Sequence, residues 1–127
     1  MRNKGDLTPF VIQFLEIIVE AFEQLINALQ KRRNDLHYYQ SRIKSIDLLA
    51  SDKYYPLTDL LLQATLFSFD GITIKNILAY ARISDTTLRK RLTQFDRYGI
   101  LNVHIDGREK YYQLDLEQLE ALTKHEA

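Results

Sequence analysis

The chain has 127 residues, 46% of them hydrophobic and 27% charged, with 17 Lys+Arg against 17 Asp+Glu and no cysteine. That composition excludes a disordered, collagenous or low-complexity chain. It also excludes a disulfide framework, a thiol nucleophile and a thiolate metal site, and the length suits one compact domain or a small domain with an appended helix.

The first residues, Met1-Arg2-Asn3-Lys4-Gly5-Asp6, are polar, and Gln13, Glu16, Glu20 and Glu23 interrupt the apolar residues that follow. No signal-peptide core or uninterrupted run of ~18 apolar residues results. A soluble cytoplasmic protein with no membrane partner is expected. Thr8-Pro9 marks a helix start, a capping hydroxyl followed by Pro at the first helical position. No Gly or Pro then occurs until Pro56, so a helix is predicted from Thr8 to about Ala50. Leu15, Phe22, Leu29, Leu36 and Ile43 form one heptad seam, and Val11, Ile18, Leu25, Arg32, Tyr39 and Ile46 the other. A seam broken only by Arg32 points to helix–helix pairing. Such a helix would reach roughly 60 Å, too long for one small domain to cover. A coiled-coil homodimer through Val11, Leu15, Ile18, Phe22, Leu25, Leu29, Leu36 and Ile43 is therefore expected. Phe10, Phe14, Ile17, Ala21 and Ile26 widen the apolar arc, which suggests more than one neighbour. The polar stretch Lys31–Asp35 is either a solvated part of this helix or a break between two.

Ser51–Pro56 reads as a linker, because the residue before Pro disfavours helix. A second helix is predicted from Leu57 to about Phe69, ended by Asp70-Gly71. Ile72-Thr73 is extended, and Thr73 caps a helix from Ile74 to about Ala81. Arg82-Ile83 is a tight connection, and Ser84 caps a helix from Asp85 to about Tyr98, ended by Gly99. Leu101, Val103 and Ile105 then alternate with Asn102 and His104, a strand pattern. Asp106-Gly107 signals a hairpin, with Tyr111–Leu114 as its return strand. Asp115 caps a short helix, Leu116 to about Lys124, with Leu116, Leu119 and Leu122 inward.

The zero net charge conceals an asymmetry. Residues 72–113 hold eight basic side chains (Lys75, Arg82, Arg89, Lys90, Arg91, Arg97, Arg108, Lys110) against four acidic ones (Asp85, Asp96, Asp106, Glu109), a net of +4 that leaves −4 elsewhere. Local excess of this kind marks a partner surface. In the same stretch Ile74, Ile77 and Leu78 bury one face of the first helix, and small Ala81 lets the helices cross closely. Ile83 plugs the turn, and Leu88, Leu92 and Phe95 form the buried face of the second helix. Asp85, Thr86, Thr87, Arg89, Lys90 and Thr93 then project outward, where short polar and basic residues can reach base edges and phosphates of a major groove.

The order helix, helix, tight turn, helix, strand, hairpin, strand over Leu57–Leu114 resembles the winged helix-turn-helix DNA-binding domains of bacterial MarR-like and ArsR-like regulators. The resemblance covers roughly half the chain. It implies a mainly α fold with a small β-hairpin wing, to which the heptad reading adds a long N-terminal dimerisation helix, whereas MarR-like proteins usually dimerise through both terminal helical regions. Together with the helix readings on either side, the resemblance divides the chain into a helical dimerisation segment (1–53), a winged helix-turn-helix (54–115) and a short C-terminal helix (116–127). It further implies that helix 84–98 reads the major groove and that wing 105–111 meets the backbone or minor groove. The expected double-stranded DNA contacts are Ser84, Asp85, Thr86, Thr87, Arg89, Lys90, Arg91, Thr93, Arg108 and Lys110.

The Tyr pairs 38–39, 54–55 and 111–112 read as half-buried packing residues, and His37, His104 and His125 lack metal-ligand spacing. No phosphate loop, Ser/His/Asp arrangement or paired carboxylate motif occurs, so neither catalysis, metal nor cofactor is expected. Three uses stay open: a transcriptional regulator, an accessory DNA-binding factor for plasmid or phage replication, partition or conjugation, and a protein–protein adaptor. An effector or protein partner stays open as well.

Overall fold

A computed structural model describes residues 6–126, with side chains described through Thr123, so the His125 side chain lies outside the described residues. The chain divides into two units, Met1–Asn34 and Asp35–Ala127.

The first unit is helical from Thr8 onward. Helix α1 runs Thr8–Lys44, so the polar stretch Lys31–Asp35 is continuous helix. Its start differs in detail from the expectation. Thr8 is the first helical residue, and Asp6 Oδ1 rather than the Thr8 hydroxyl receives a terminal N–H, that of Thr8 at 2.9 Å. Phe10, Val11, Ile12, Phe14, Leu15, Ile17, Val19, Phe22, Leu25, Ile26 and Leu29 are all exposed, between 48% and 70%. At 3.6 residues per turn, with Ile18, Ala21 and Ala28, they span about 220° of the helix circumference. Gln13, Glu16, Glu20, Glu23, Gln24, Asn27 and Gln30 occupy the rest. Among the described residues no helix is long and apolar enough to cross a membrane.

The second unit packs around Phe95. The last turns of α1 contribute buried Ile43, with Leu36 and Tyr39 half-buried against the same core. The predicted continuation to Ala50 does not occur. Ser45 folds back, its N–H and Oγ both donating to Arg42 O at 3.1 and 2.6 Å, and Ile46 turns extended. That kink brings Ile46 and Leu49 into the core, with Asp47–Ala50 as a single turn, α2. Burial of those two side chains replaces the register a straight helix would have given. Helix α3 runs Tyr55–Phe67, starting and stopping two residues earlier than expected. Pro56 sits in its first turn, where a missing N–H leaves no hydrogen bond unmade.

Gly71 does not cap α3 as the sequence suggests; α3 ends at Ser68, and Gly71 turns the chain with φ +103°. The turn lets Ile72 pair with Tyr112, each N–H donating to the other's carbonyl at 3.0 and 2.8 Å. A Cβ at Gly71 would lie 2.5 Å from Tyr112 O, so only glycine allows this approach. Helix α4 spans Ile74–Tyr80 and α5 Asp85–Arg97, both capped as expected: Thr73 Oγ1 accepts from Asn76 N–H and Ser84 Oγ from Thr87 N–H. Strands β1 (Leu101–Asp106) and β2 (Glu109–Leu114) form an antiparallel hairpin with Leu101 opposite Leu114 and Asp106 opposite Glu109. The return strand therefore begins two residues before Tyr111, and the connection is Gly107-Arg108. Gly107 takes φ +63° at the first central position, where a type II′ turn needs glycine. Helix α6 spans Leu116–Glu126, with Asp115 Oδ1 accepting from Gln118 N–H and Leu119 fully buried. The architecture is a winged helix-turn-helix: α3, α4 and α5 around one apolar core, followed by a two-stranded wing.

Candidate nucleic-acid interface

The position of α5 follows from its apolar period. Leu88 and Phe95 are fully buried and Leu92 is 5% exposed. With the helix rotated that way, 100° per residue puts Thr86, Lys90, Thr93 and Arg97 on the opposite ridge. All four are exposed. The Thr93 hydroxyl donates to Arg89 O at 2.9 Å, whereas Thr86 and Lys90 extend without a side-chain hydrogen bond among the described residues.

At the start of α5 the candidates partner one another. The Ser84 Oγ that accepts from Thr87 N–H also donates to Thr87 Oγ1 at 2.9 Å. Asp85, expected among the DNA contacts, holds Arg89: Arg89 Nε donates to Asp85 Oδ2 at 2.9 Å across one helical turn. That hydrogen bond, then the carboxylate charge, raises the Arg89 guanidinium above its ordinary range. Both side chains are more than half exposed, so the pair is weak and exchangeable with another oxyanion.

Two clefts flank the ridge. On the wing side, Lys75 of α4, Arg89 of α5, and Arg108 and Lys110 of the hairpin line a cleft of about 290 Å³ with Ile74, Glu109 and Tyr112. Four cations face one carboxylate there. Arg108 and Lys110 are exposed, as expected for a wing tip, while Val103 and Ile105 of β1 are 47% and 64% exposed. The β1 alternation therefore marks a strand but not a buried face, because the core reaches Leu101 and Tyr112 but not Val103 and Ile105 nearer the tip. On the other side, Thr87, Lys90, Arg91 and Gln94 of α5 line a second cleft with Lys53 and Tyr54. Arg91 is half-buried, unlike its exposed neighbours Arg89 and Lys90.

The structure thus gathers Ser84, Asp85, Thr86, Thr87, Arg89, Lys90, Arg91 and Thr93 along one helix, with Arg108 and Lys110 across the wing-side cleft. Sequence reasoning does not bring Lys53, Lys75 or Arg97 into the site. Arg97 is legible, because it repeats Thr86, Lys90 and Thr93 at helical spacing. Lys53 and Lys75 reach the surface from other elements, and no local pattern announces them.

No protein-family model matches the chain, and no curated protein matches it. A solved structure described as a possible transcriptional regulator for arsenical resistance is similar at 26% identity over 65% of this chain and 82% of that one, with a TM-score of 0.47.

Proposed function

We propose that this chain is a dimeric, sequence-specific double-stranded DNA-binding protein that regulates transcription. The observation that carries the reading is the orientation of α5. Burial of Leu88, Leu92 and Phe95 leaves a polar, basic ridge exposed between two cationic clefts. A helix with side chains is about 10–12 Å across and the B-DNA major groove is about 12 Å wide, so the ridge fits a groove floor. Thr86, Lys90, Thr93 and Arg97 would face base edges. Arg89, Arg108 and Lys110 would face phosphates, which position the protein without specifying sequence. Ser84 and Thr87 serve chiefly to start the helix.

One such helix reads only a few base pairs, and a second copy related by two-fold symmetry doubles the length of duplex read. The exposed arc of α1 is the proposed interface, carried by Val11, Leu15, Ile18, Phe22, Leu25 and Leu29. Leu36 and Ile43 are already taken up by the chain's own core. The polar face of this half, with Glu16, Glu20 and Glu23, is acidic, which disfavours an anionic lipid surface as the alternative occupant.

Selection of bound duplexes from a random library tests the reading. A motif should be enriched, binding should weaken steeply with salt, and Arg89→Ala with Lys90→Ala should abolish enrichment. The same surface would serve an accessory factor for replication, partition or conjugation, and mapping sites against promoters and origins separates the two. The α1 arc also favours a second reading, a protein–protein adaptor. A chain that enriches no motif and is indifferent to the Arg89/Lys90 change would be assigned there.

A further inference from the structure

The two flanks of α5 are built differently. On the wing flank, Arg89 is paired with Asp85 and Glu109 joins the lining. On the other flank, Lys53, Lys90 and Arg91 line a cleft of about 420 Å³ together with Tyr54, Thr87 and Gln94, and no carboxylate takes part. None of these three cations is in an ion pair among the described residues. Arg91 Nε is buried and has no hydrogen-bond partner among them either. What holds two of them, Lys53 and Arg91, is an aromatic ring. Tyr54, itself 5.8 Å from the Phe95 ring, has Lys53 Nζ at 5.4 Å and Arg91 Cζ at 6.0 Å from its centroid. A ring face positions a cation without neutralising it. Both charges therefore stay whole and repel one another, and neither Lys53 nor Arg91 donates a side-chain hydrogen bond among the described residues.

We propose that the Lys53–Arg91 cleft is a phosphate-binding site that grips the DNA backbone strand lying on the side of α5 away from the wing. A helix filling the major groove has one strand's phosphates along each flank. The wing and Arg89 serve one strand, and Lys53 and Arg91 serve the other, with Gln94 amide hydrogens as further donors. Lys53 comes from the α2–α3 connection, so the two strands are gripped by different elements of the same packed unit. The inference rests on the DNA reading above.

The test compares the full chain with Lys53→Ala, Lys53→Arg and, as a control, Arg89→Ala in equilibrium binding to the selected duplex and to a scrambled one across a salt series. Lys53 is exposed, so its truncation leaves the core intact. In Lys53→Ala one phosphate is no longer neutralised, so the slope of log K against log salt should fall by about 0.9. The fall should be equal on both duplexes, and Lys53→Arg should restore the slope. A single uncharged methylphosphonate linkage at the facing position should erase the difference between wild type and Lys53→Ala. Superimposable curves for Lys53→Ala and wild type, with Arg89→Ala still weakened, would overturn this inference and leave the DNA reading standing. Failure of the wild type to bind any duplex would overturn both. Titration with inorganic phosphate alone covers the remaining source: saturable shifts at Arg91 Nε–H, lost in Lys53→Ala while duplex affinity is unchanged, would make the cleft a small-anion site and overturn its assignment to the backbone.

Discussion

Leu15 and Leu88 are the same side chain on the same kind of helix, yet Leu15 is 53% exposed and Leu88 fully buried. In the second unit the helices are short: α4 has 7 residues and α5 has 13. Helices of that length are marginal alone and persist because their apolar faces pack. In the first unit one long helix carries an apolar arc that its own unit leaves exposed. Apolar period thus predicts a helix in both regions, but it says nothing about what covers the helix. In one region the cover is the rest of its own unit; in the other the arc stays exposed.

The most damaging way to probe this contrast is to make one substitution in both regions. Phe95→Ala removes a fully buried ring and should cost about 3–5 kcal/mol of unfolding free energy. Phe22→Ala removes a ring that is 60% exposed, and at dilutions that leave the chain monomeric it should cost no more than about 0.5 kcal/mol. Urea titrations of both variants check this. Equal losses at high dilution would mean that Phe22 is packed within one chain, and the contrast would collapse.

The next effect separates self-association from folding. Leu25→Asp with Leu29→Asp places charge on the α1 arc, and sedimentation should then give a monomer with an unchanged second unit. Losing the linked second half-site should weaken binding to a palindromic duplex by about 10²-fold or more. A dimer that survives both substitutions rejects the proposed interface.

Legibility in the sequence follows the range of the interaction. Ser84, Thr73 and Asp115 can be read as caps because each bonds an N–H only three residues away. Leu88, Leu92 and Phe95 can be read as a buried face because the period is local too. The end of α1 cannot be read. No Gly or Pro marks it, and the kink at Ser45–Ile46 answers to burial of Ile46 and Leu49 against residues far along the chain. The same limit governs the candidate interface. The α5 ridge is written in one segment, whereas the Lys53 cleft exists only once Tyr54 has packed on Phe95. Exposure of Val103 and Ile105 depends on how far along the hairpin the core reaches, which alternation cannot reveal.

A smaller effect compares the two helix starts. Ser84→Ala removes the acceptor for Thr87 N–H and should cost about 1 kcal/mol. Because α5 is tied into a packed unit, that loss should register in global unfolding. The start of α1 has no such coupling to carry its loss. There Asp6 accepts from Thr8 N–H at 2.9 Å, and hydrogen bonds from the Thr8 side chain and backbone hold the Asp6 carboxyl below its usual 3.8. A depressed carboxyl stabilises the fold above its unfolded pKa and loses that contribution as pH falls through its folded value. The α1 cap should thus be intact above about pH 5 and fade below 3.8. Amide exchange at Thr8 should quicken, relative to its intrinsic rate, across that window, while the amides of α5 around Leu88 stay protected. Asp6→Asn keeps an acceptor in place and should remove the pH dependence without fraying the helix. Protection lost at Thr8 and Leu88 together would mean that the two regions unfold as one, and the division drawn between them would fail at its finest grain.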